Sequence, residues 1–279
     1  MLWEEITNIS KKNKWRTQQT FQEYVQKAIL ASLSREGVFS DIVFQGGTSL
    51  RLFYGNPRFS EDLDFVLKSN NKNFNMVNKI PKIRSFVDKT FPFLNKIEIS
   101  VQKNDNQMQR LILKTSSDIS EQKLHIHIEL AYVPSYNNKP KILNYPPLNP
   151  AVRVEEPSEI LADKITALGN RDYLKGRDIW DIYFLIFEKQ ITINWSLVSQ
   201  KAKDYGTSSE SLKDEFIIAS KKLKKNGALI LSNEMKRFLP KLLFDQYENE
   251  FNGIVDKVAK NIENVNNIDI KKYSEEEKK

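Results

Sequence analysis

Gly46-Gly47-Thr48-Ser49-Leu50-Arg51, followed at a short interval by Arg58-Phe59-Ser60-Glu61-Asp62-Leu63-Asp64-Phe65, is the stretch that decides how this 279-residue chain is read. Glycines at a turn let backbone amides come close to a ligand, since no Cβ stands in the way. Asp62 and Asp64 are two apart in an apolar run, so an extended strand points both carboxylates to one face, with Val66 beside them. Leu63, Phe65 and Leu67 then supply the opposite, core-facing side. A lone D-x-D of this kind is also the ordinary outer face of a half-exposed strand. Its neighbours change the reading: Gly46, Gly47, Ser49, Arg51 and Arg58 place phosphate-binding chemistry beside two acids, and a hard dication such as magnesium takes carboxylate, phosphate and water oxygens.

Outward from this stretch, the first half alternates strand and helix signals. Residues 17–35 carry Phe21, Val25, Ile29, Leu30 and Leu33 at helical spacing, ending near Gly37. Asp41 to Phe44 predicts a strand, Thr48 to Tyr54 a helix broken by Gly55-Asn56-Pro57, and 61–67 the next strand. A helix is expected within 73–90, then strands at about 97–102 and 109–115. Over 123–133, Leu124, Ile126, Ile128 and Leu130 alternate with His125, His127, Glu129 and Ala131, which makes Glu129 a candidate third acid. The two histidines share that polar side, and both precede an acid on the strand; they read as residues bordering a cleft and not as a metal pair. Pro134 and the proline-rich 140–150 region predict a connecting segment.

Beyond Pro157 the pattern is helix after helix, at about 158–171, 177–187, 195–204, 208–225, 233–245 and 247–262, with a charged tail at 271–279. The expected class is α+β, with a sheet domain at 1–155 and a helical domain at 156–279. In the first of these helices Lys164 falls within the stripe made by Ile160, Leu161, Ile165 and Leu168, where it either snorkels to solvent or projects into a cleft. The second is apolar around almost its whole circumference, so Asp178 and Asp181 sit where acids need partners, and Arg171 or Arg177 could supply them. Asp178 also suits a first helical turn.

Composition narrows the classes. Hydrophobic residues make up 40% of the chain, enough for a globular core, and the absence of cysteine excludes a disulfide scaffold and thiolate metal sites. Met1-Leu2-Trp3-Glu4-Glu5 lacks an apolar targeting segment, and no run reaches the roughly 20 apolar residues that span a bilayer. A cytoplasmic protein with no membrane partner is therefore expected. The net charge of +7 favours polyanionic partners. Lys79, Lys82, Arg84 and Lys89, and Lys221, Lys222, Lys224 and Lys225, form either phosphate-tracking faces or solvated helix surfaces.

The two motif sets, in this order, resemble the AbiEii/AbiGii toxin family over about residues 20–187. The resemblance implies a nucleotidyltransferase-like mixed sheet domain with flanking helices, a helical domain after it, and a toxin of a bacterial toxin–antitoxin or abortive-infection system. It further implies that Gly47 and Ser49 belong to the nucleotide-binding turn, that Asp62 and Asp64 bind Mg2+, that Lys164 contacts the triphosphate and that Asp178 is the later catalytic acid. Glu129 matches a third-carboxylate strand more loosely. The expected activity is magnesium-dependent transfer from a nucleoside triphosphate to RNA, with tRNA favoured, in a chain paired with a cognate antitoxin protein. Gly46, Gly47, Thr48, Ser49, Arg51, Arg58 and Asp181 are the expected substrate-binding residues, Glu129 joins Asp62 and Asp64 in the expected metal set, and Glu129, ahead of Asp178, takes the acceptor proton or holds a second metal. A protein hydroxyl as acceptor and a catalytically silent nucleotide- or RNA-binding domain are the rival readings.

Overall fold

The computed structural model describes residues 1–69, 73–118, 123–207 and 209–263. The chain separates into two compact units, the first ending at Glu155 and the second beginning at Glu156.

The first unit is a seven-stranded mixed sheet with helices against one face. Its elements in order are α1 (Trp3–Asn13), α2 (Thr17–Arg35), β1 (Ile42–Gln45), α3 (Gly46–Tyr54), β2 (Leu63–Leu67), α4 (Ile80–Thr90), β3 (Lys96–Asn104), β4 (Met108–Ser116), β5 (Leu124–Pro134), β6 (Asn138–Ile142) and β7 (Ala151–Glu155). The strands lie in the order β3-β4-β5-β2-β1-β7-β6. Strand β2 runs antiparallel to β1 and parallel to β5, while β1 runs parallel to β7. The period-two patterns sort the faces: Phe44, Leu63, Phe65, Leu111, Leu113, Ile126, Ile128 and Leu130 join Phe21, Val25, Ile29, Leu33, Ile83 and Val87 in one buried core. On the opposite face Val43, Val66 and Val133 make only a small apolar patch, so that side of the sheet keeps polar side chains.

Two strands occupy the segment expected to be a connector. Strand β6 is the sheet edge, where Pro140 withholds no hydrogen bond that a central strand would need. Strand β7 has too few residues for its alternation to stand out after Pro150, and it is held by pairing with β1, a partner more than a hundred residues away in sequence. Helix α1, which carries no strong apolar stripe, is likewise held by packing: Ile6 is buried in the core and Trp3 stacks edge-on against Phe21.

The second unit is helical: α5 (Pro157–Asn170), α6 (Gly176–Tyr183) running into a π-helical turn at Phe184–Glu188, α7 (Trp195–Asp204), α8 (Ser209–Phe238), α9 (Lys241–Tyr247) and α10 (Phe251–Glu263). The two helices expected at 208–225 and 233–245 are corrected to one 30-residue helix, α8, followed by the short α9. Asn226-Gly227 reads locally as a stop. Gly227 is instead packed against α10, since an added Cβ would lie 2.9 Å from Val255 Cγ1. Packing therefore favours helix at a residue whose own propensity disfavours it. The tail at 271–279 lies outside the described residues.

Helix α3 is locked to α2 by a half-sequestered ion network. Glu23 on α2 binds Lys27 at 3.0 Å and Arg51 Nε at 2.8 Å. The Arg51 guanidinium also donates to the Pro57 carbonyl and lies 4.2 Å from the Phe59 ring centroid and 4.8 Å from that of Trp15. Burial pushes the Glu23 carboxyl up, but Arg51 and Lys27 outweigh it and hold the group below its ordinary value of 4.5. A depressed carboxyl contributes stability that is present above the unfolded value and lost as pH falls through the folded one. Glu23→Gln is expected to cost about 3 kcal/mol at neutral pH, because it leaves the half-buried Arg51 without its anion. In denaturant melts over a pH series, the gap between wild type and variant should narrow below about pH 4.5.

Candidate functional site

In the first unit the polar face of the sheet carries one row of side chains across four strands. Gln45 pairs with Asp64, Asp64 with Glu129, and Glu129 with Arg110. Asp62 lies just before β2, where its Oδ1 is 3.2 Å from His127 Nδ1. Asp62, Asp64, Glu129 and His127 thus meet on the side of the sheet away from the helical core.

The turn into α3 abuts this row. Gly46 has φ +78°, a left-handed conformation open to glycine at little cost, and an added Cβ would sit 2.6 Å from Asp64 Oδ2. The first turn of a helix presents amides without intrahelical partners and the positive end of the helix dipole, so an anion is favoured there. The residues leading into β2 are pinned through three consecutive carbonyls. Gln26 donates to Ser60 O at 3.1 Å, Gln22 to Glu61 O at 2.9 Å and Thr48 to Asp62 O at 2.5 Å. Helices α2 and α3 together therefore hold Asp62, outside any strand, at a set height above the sheet.

Several expected substrate-binding side chains turn inward. Thr48 is committed to the Asp62 carbonyl, and the buried Ser49 hydroxyl donates to Gly46 O at 2.9 Å. Arg58 is 1% exposed, donates to Phe59 O at 3.0 Å and packs its guanidinium against Gly47, where a Cβ would collide with it. Arg51 is held by Glu23 and Pro57. These side chains build the turn that brings Gly46 against Asp64.

Two oxygen-only carboxylates beside an anion-favouring helix start suit a divalent cation bridged to phosphate. The glycine-sized space at Gly46 that admits Asp64 fits the same arrangement. Glu129 is engaged differently. Arg110 Nε lies 2.8 Å from its Oε1 without the alignment of a hydrogen bond, and the guanidinium instead donates to Oε2 at 3.3 Å. Glu129 is therefore an ion-paired neighbour of the two acids.

The second unit holds a compact charge cluster. Lys164 Nζ lies 2.9 Å from both Asp178 Oδ1 and Asp181 Oδ2. Arg171 binds the other oxygen of Asp178. Asp181 is fully buried, so it faces Lys164 and not solvent, in contrast to the expected substrate contact. Of the two arginines considered for these acids, Arg171 serves Asp178 and Arg177 pairs with Glu234. Lys201, also fully buried, bridges Glu159 at 2.6 Å and Asp163 at 3.2 Å, so these acids already hold an internal cation.

Four contributors lie outside the two motifs. His127 is legible in the phase of β5, which places it two residues before Glu129 on the same face. Gln22 and Gln26 are four apart on one side of α2, a spacing indistinguishable from an ordinary polar stripe. Arg110 needs the β4–β5 register.

A family model described as "Nucleotidyl transferase AbiEii toxin, Type IV TA system" matches residues 28–257. Among solved structures, the chain is similar to a candidate nucleotidyltransferase from Helicobacter pylori, at 21% identity and TM-score 0.51, over 89% of this chain and 97% of that one. It is also similar to JHP933 from Helicobacter pylori, at 20% identity and TM-score 0.51, over 90% and 95%. At this identity the likeness concerns the fold. A comparison with curated proteins gave no significant match.

Removing one acid from the Lys164 cluster should be costly, since it leaves a half-buried cation short of a partner. Asp181→Ala is expected to destabilise the protein by about 3–5 kcal/mol, measured by denaturant unfolding, and Asp181→Asn by less because one hydrogen bond survives.

Proposed function

Because this chain belongs to the AbiEii family of nucleotidyl transferase toxins, and is thus a nucleotidyltransferase of a toxin–antitoxin system, we propose that it is magnesium-dependent and transfers nucleotides to RNA, with tRNA the favoured acceptor. The observation that carries the reading is the approach of Asp64 to Gly46 at the start of α3, with Asp62 pinned two residues upstream. Family membership implies a divalent metal, a nucleoside triphosphate substrate and a cognate antitoxin. No helix among the described residues is long and apolar enough to cross a membrane. Action in the cytoplasm and a part in phage defence belong to the proposal.

Asp62 and Asp64 are the residues that would hold Mg2+, which when bound neutralises charge on the triphosphate and on departing pyrophosphate. The amides at the start of α3 receive phosphate oxygens, and Gly46 keeps that approach open. Lys164 is the proposed triphosphate contact of the second unit, and its orientation is set by Asp178 and Asp181. The acceptor hydroxyl attacks the α-phosphate in line, the bond to pyrophosphate breaks, and a carboxylate takes the hydroxyl proton. Glu129 and Asp178 are the candidates for that base. Both are ion-paired, so whichever acts must exchange a guanidinium contact for the proton.

Incubation of the protein with magnesium, total RNA and each labelled triphosphate should place label in RNA. Label in protein alone would replace RNA with a protein hydroxyl as the acceptor. Asp62→Ala should abolish transfer while the protein stays folded, and should relieve growth inhibition in cells; toxicity that survived this substitution would require a non-enzymatic mode. Gly46→Ala should reduce transfer on the order of 100-fold, since displacing the Asp64 carboxylate by about 1 Å is enough for an effect of that size.

A further inference from the structure

The loop between α5 and α6 presents an aromatic residue that the fold does not require. Tyr173 is 63% exposed, although both sides of its loop are tightly anchored. Arg171 binds Asp178, Leu174 is buried, and Lys222 Nζ on α8 donates to the Asp172 carbonyl at 2.9 Å. Immediately after the loop, the amides of Gly176 and Arg177 donate to the two carboxylate oxygens of Glu234 at 2.9 and 3.1 Å. Gly176 permits that close approach, for an added Cβ would stand 2.8 Å from Ile230 O. A loop held at this many points has a defined shape, and it projects a phenol ring into water.

The surroundings of the ring are basic. Lys175 Nζ lies 5.9 Å from the Tyr173 centroid, and Lys222 sits beneath the loop. On α8, Lys221 and Lys225 are exposed, and Lys225 follows Lys222 at one helical turn. Lys224 belongs to a different arrangement, an ion pair with Glu263. Asp172 contributes the one acid of the loop and does not offset these cations. An aromatic face with lysines around it is the combination by which proteins hold single-stranded nucleic acid, stacking a base on the ring and pairing the flanking phosphates with cations. A free nucleotide would need only the ring and its nearest cation, whereas Lys222 and Lys225 add further cations along α8.

We propose that Tyr173, with Lys175, Lys222 and Lys225, forms a stacking platform for the single-stranded end of the RNA acceptor. This deepens the reading given under Proposed function and rests on it for the identity of the acceptor. It also accounts for an exposed aromatic on an immobilised loop next to Arg171, the residue that binds Asp178.

The test is direct binding, without any transfer step. A fluorescein-labelled single-stranded oligoribonucleotide of mixed sequence is titrated with the full chain and followed by anisotropy at several salt concentrations. Tyr173→Ala is expected to weaken binding about fivefold or more, while Tyr173→Phe and Tyr173→Trp retain it, because stacking needs the ring and not the hydroxyl. Lys175→Ala and Lys225→Ala should each reduce the salt dependence by about one phosphate contact. Leu242→Ala, an equally exposed apolar site on α9, serves as the control and should bind as wild type does. In parallel, the thermal shift produced by each magnesium–nucleoside triphosphate should be unchanged in Tyr173→Ala. Equal oligonucleotide binding by wild type and Tyr173→Ala, no binding by wild type, or loss of the triphosphate shift in place of oligonucleotide binding would each overturn the platform. A wild type that binds the oligonucleotide through Tyr173 yet labels no RNA would keep the stacking platform for single-stranded RNA and overturn its assignment to the acceptor.

Discussion

The close approach of Asp64 to Gly46 is the constraint on which the first unit's chemistry depends. It requires a residue without a Cβ, in a conformation that other residues adopt only under strain, at the first position of α3. Everything around it serves to hold that approach. Arg58 is folded under Gly47, Ser49 closes onto the Gly46 carbonyl, and Arg51 ties α3 to Glu23. Polar side chains that would suit a ligand are used as internal supports. Such a site is rigid because its supports are buried, and rigidity is what electrostatic stabilisation of a charged transition state requires.

The second unit solves the opposite problem, orienting a half-buried lysine between two acids. Two acids from one helix face converge on Lys164, and Arg171 balances the second charge. Breaking any one contact strands a charge in a poorly solvated place, so the cluster behaves as a unit. The same logic recurs in Lys201 with Glu159 and Asp163, but there the cation is fully enclosed and serves only to hold α7 against α5.

Much of this was legible because period and chemistry agree. The alternation of β5 put Glu129 and His127 opposite Leu124, Ile126, Ile128 and Leu130, and the fold keeps that phase. Lys164 in an apolar stripe, and two acids in a nearly all-apolar helix, signalled partners before any partner was visible. What failed did so for identifiable reasons. Strands β6 and β7 are short and proline-flanked, so local pattern was too weak to announce pairing that is non-local. The pattern splits α8 near residue 225 and the fold does not, because a glycine helix penalty of about 1 kcal/mol is offset at Gly227 by close packing against Val255. The polar groups around Gly46 read as ligand contacts, since residue type cannot tell whether a serine or arginine faces in or out.

The sequence by itself determined the class of the chain and the residues that carry charge: a sheet unit followed by helices, an acid pair beside a glycine turn, and a lysine with two acids downstream. These are set by spacing, which survives as long as the elements form. Only the tertiary structure decided which of those charges are spoken for. Arg51, Arg58, Thr48 and Asp181 are consumed internally, Arg110 occupies Glu129, and Gln22 and Gln26 anchor the segment that carries Asp62. The reason is physical: a hydrogen bond or ion pair is a relation between two positions brought together by packing, and the distance that permits it is written in neither residue alone.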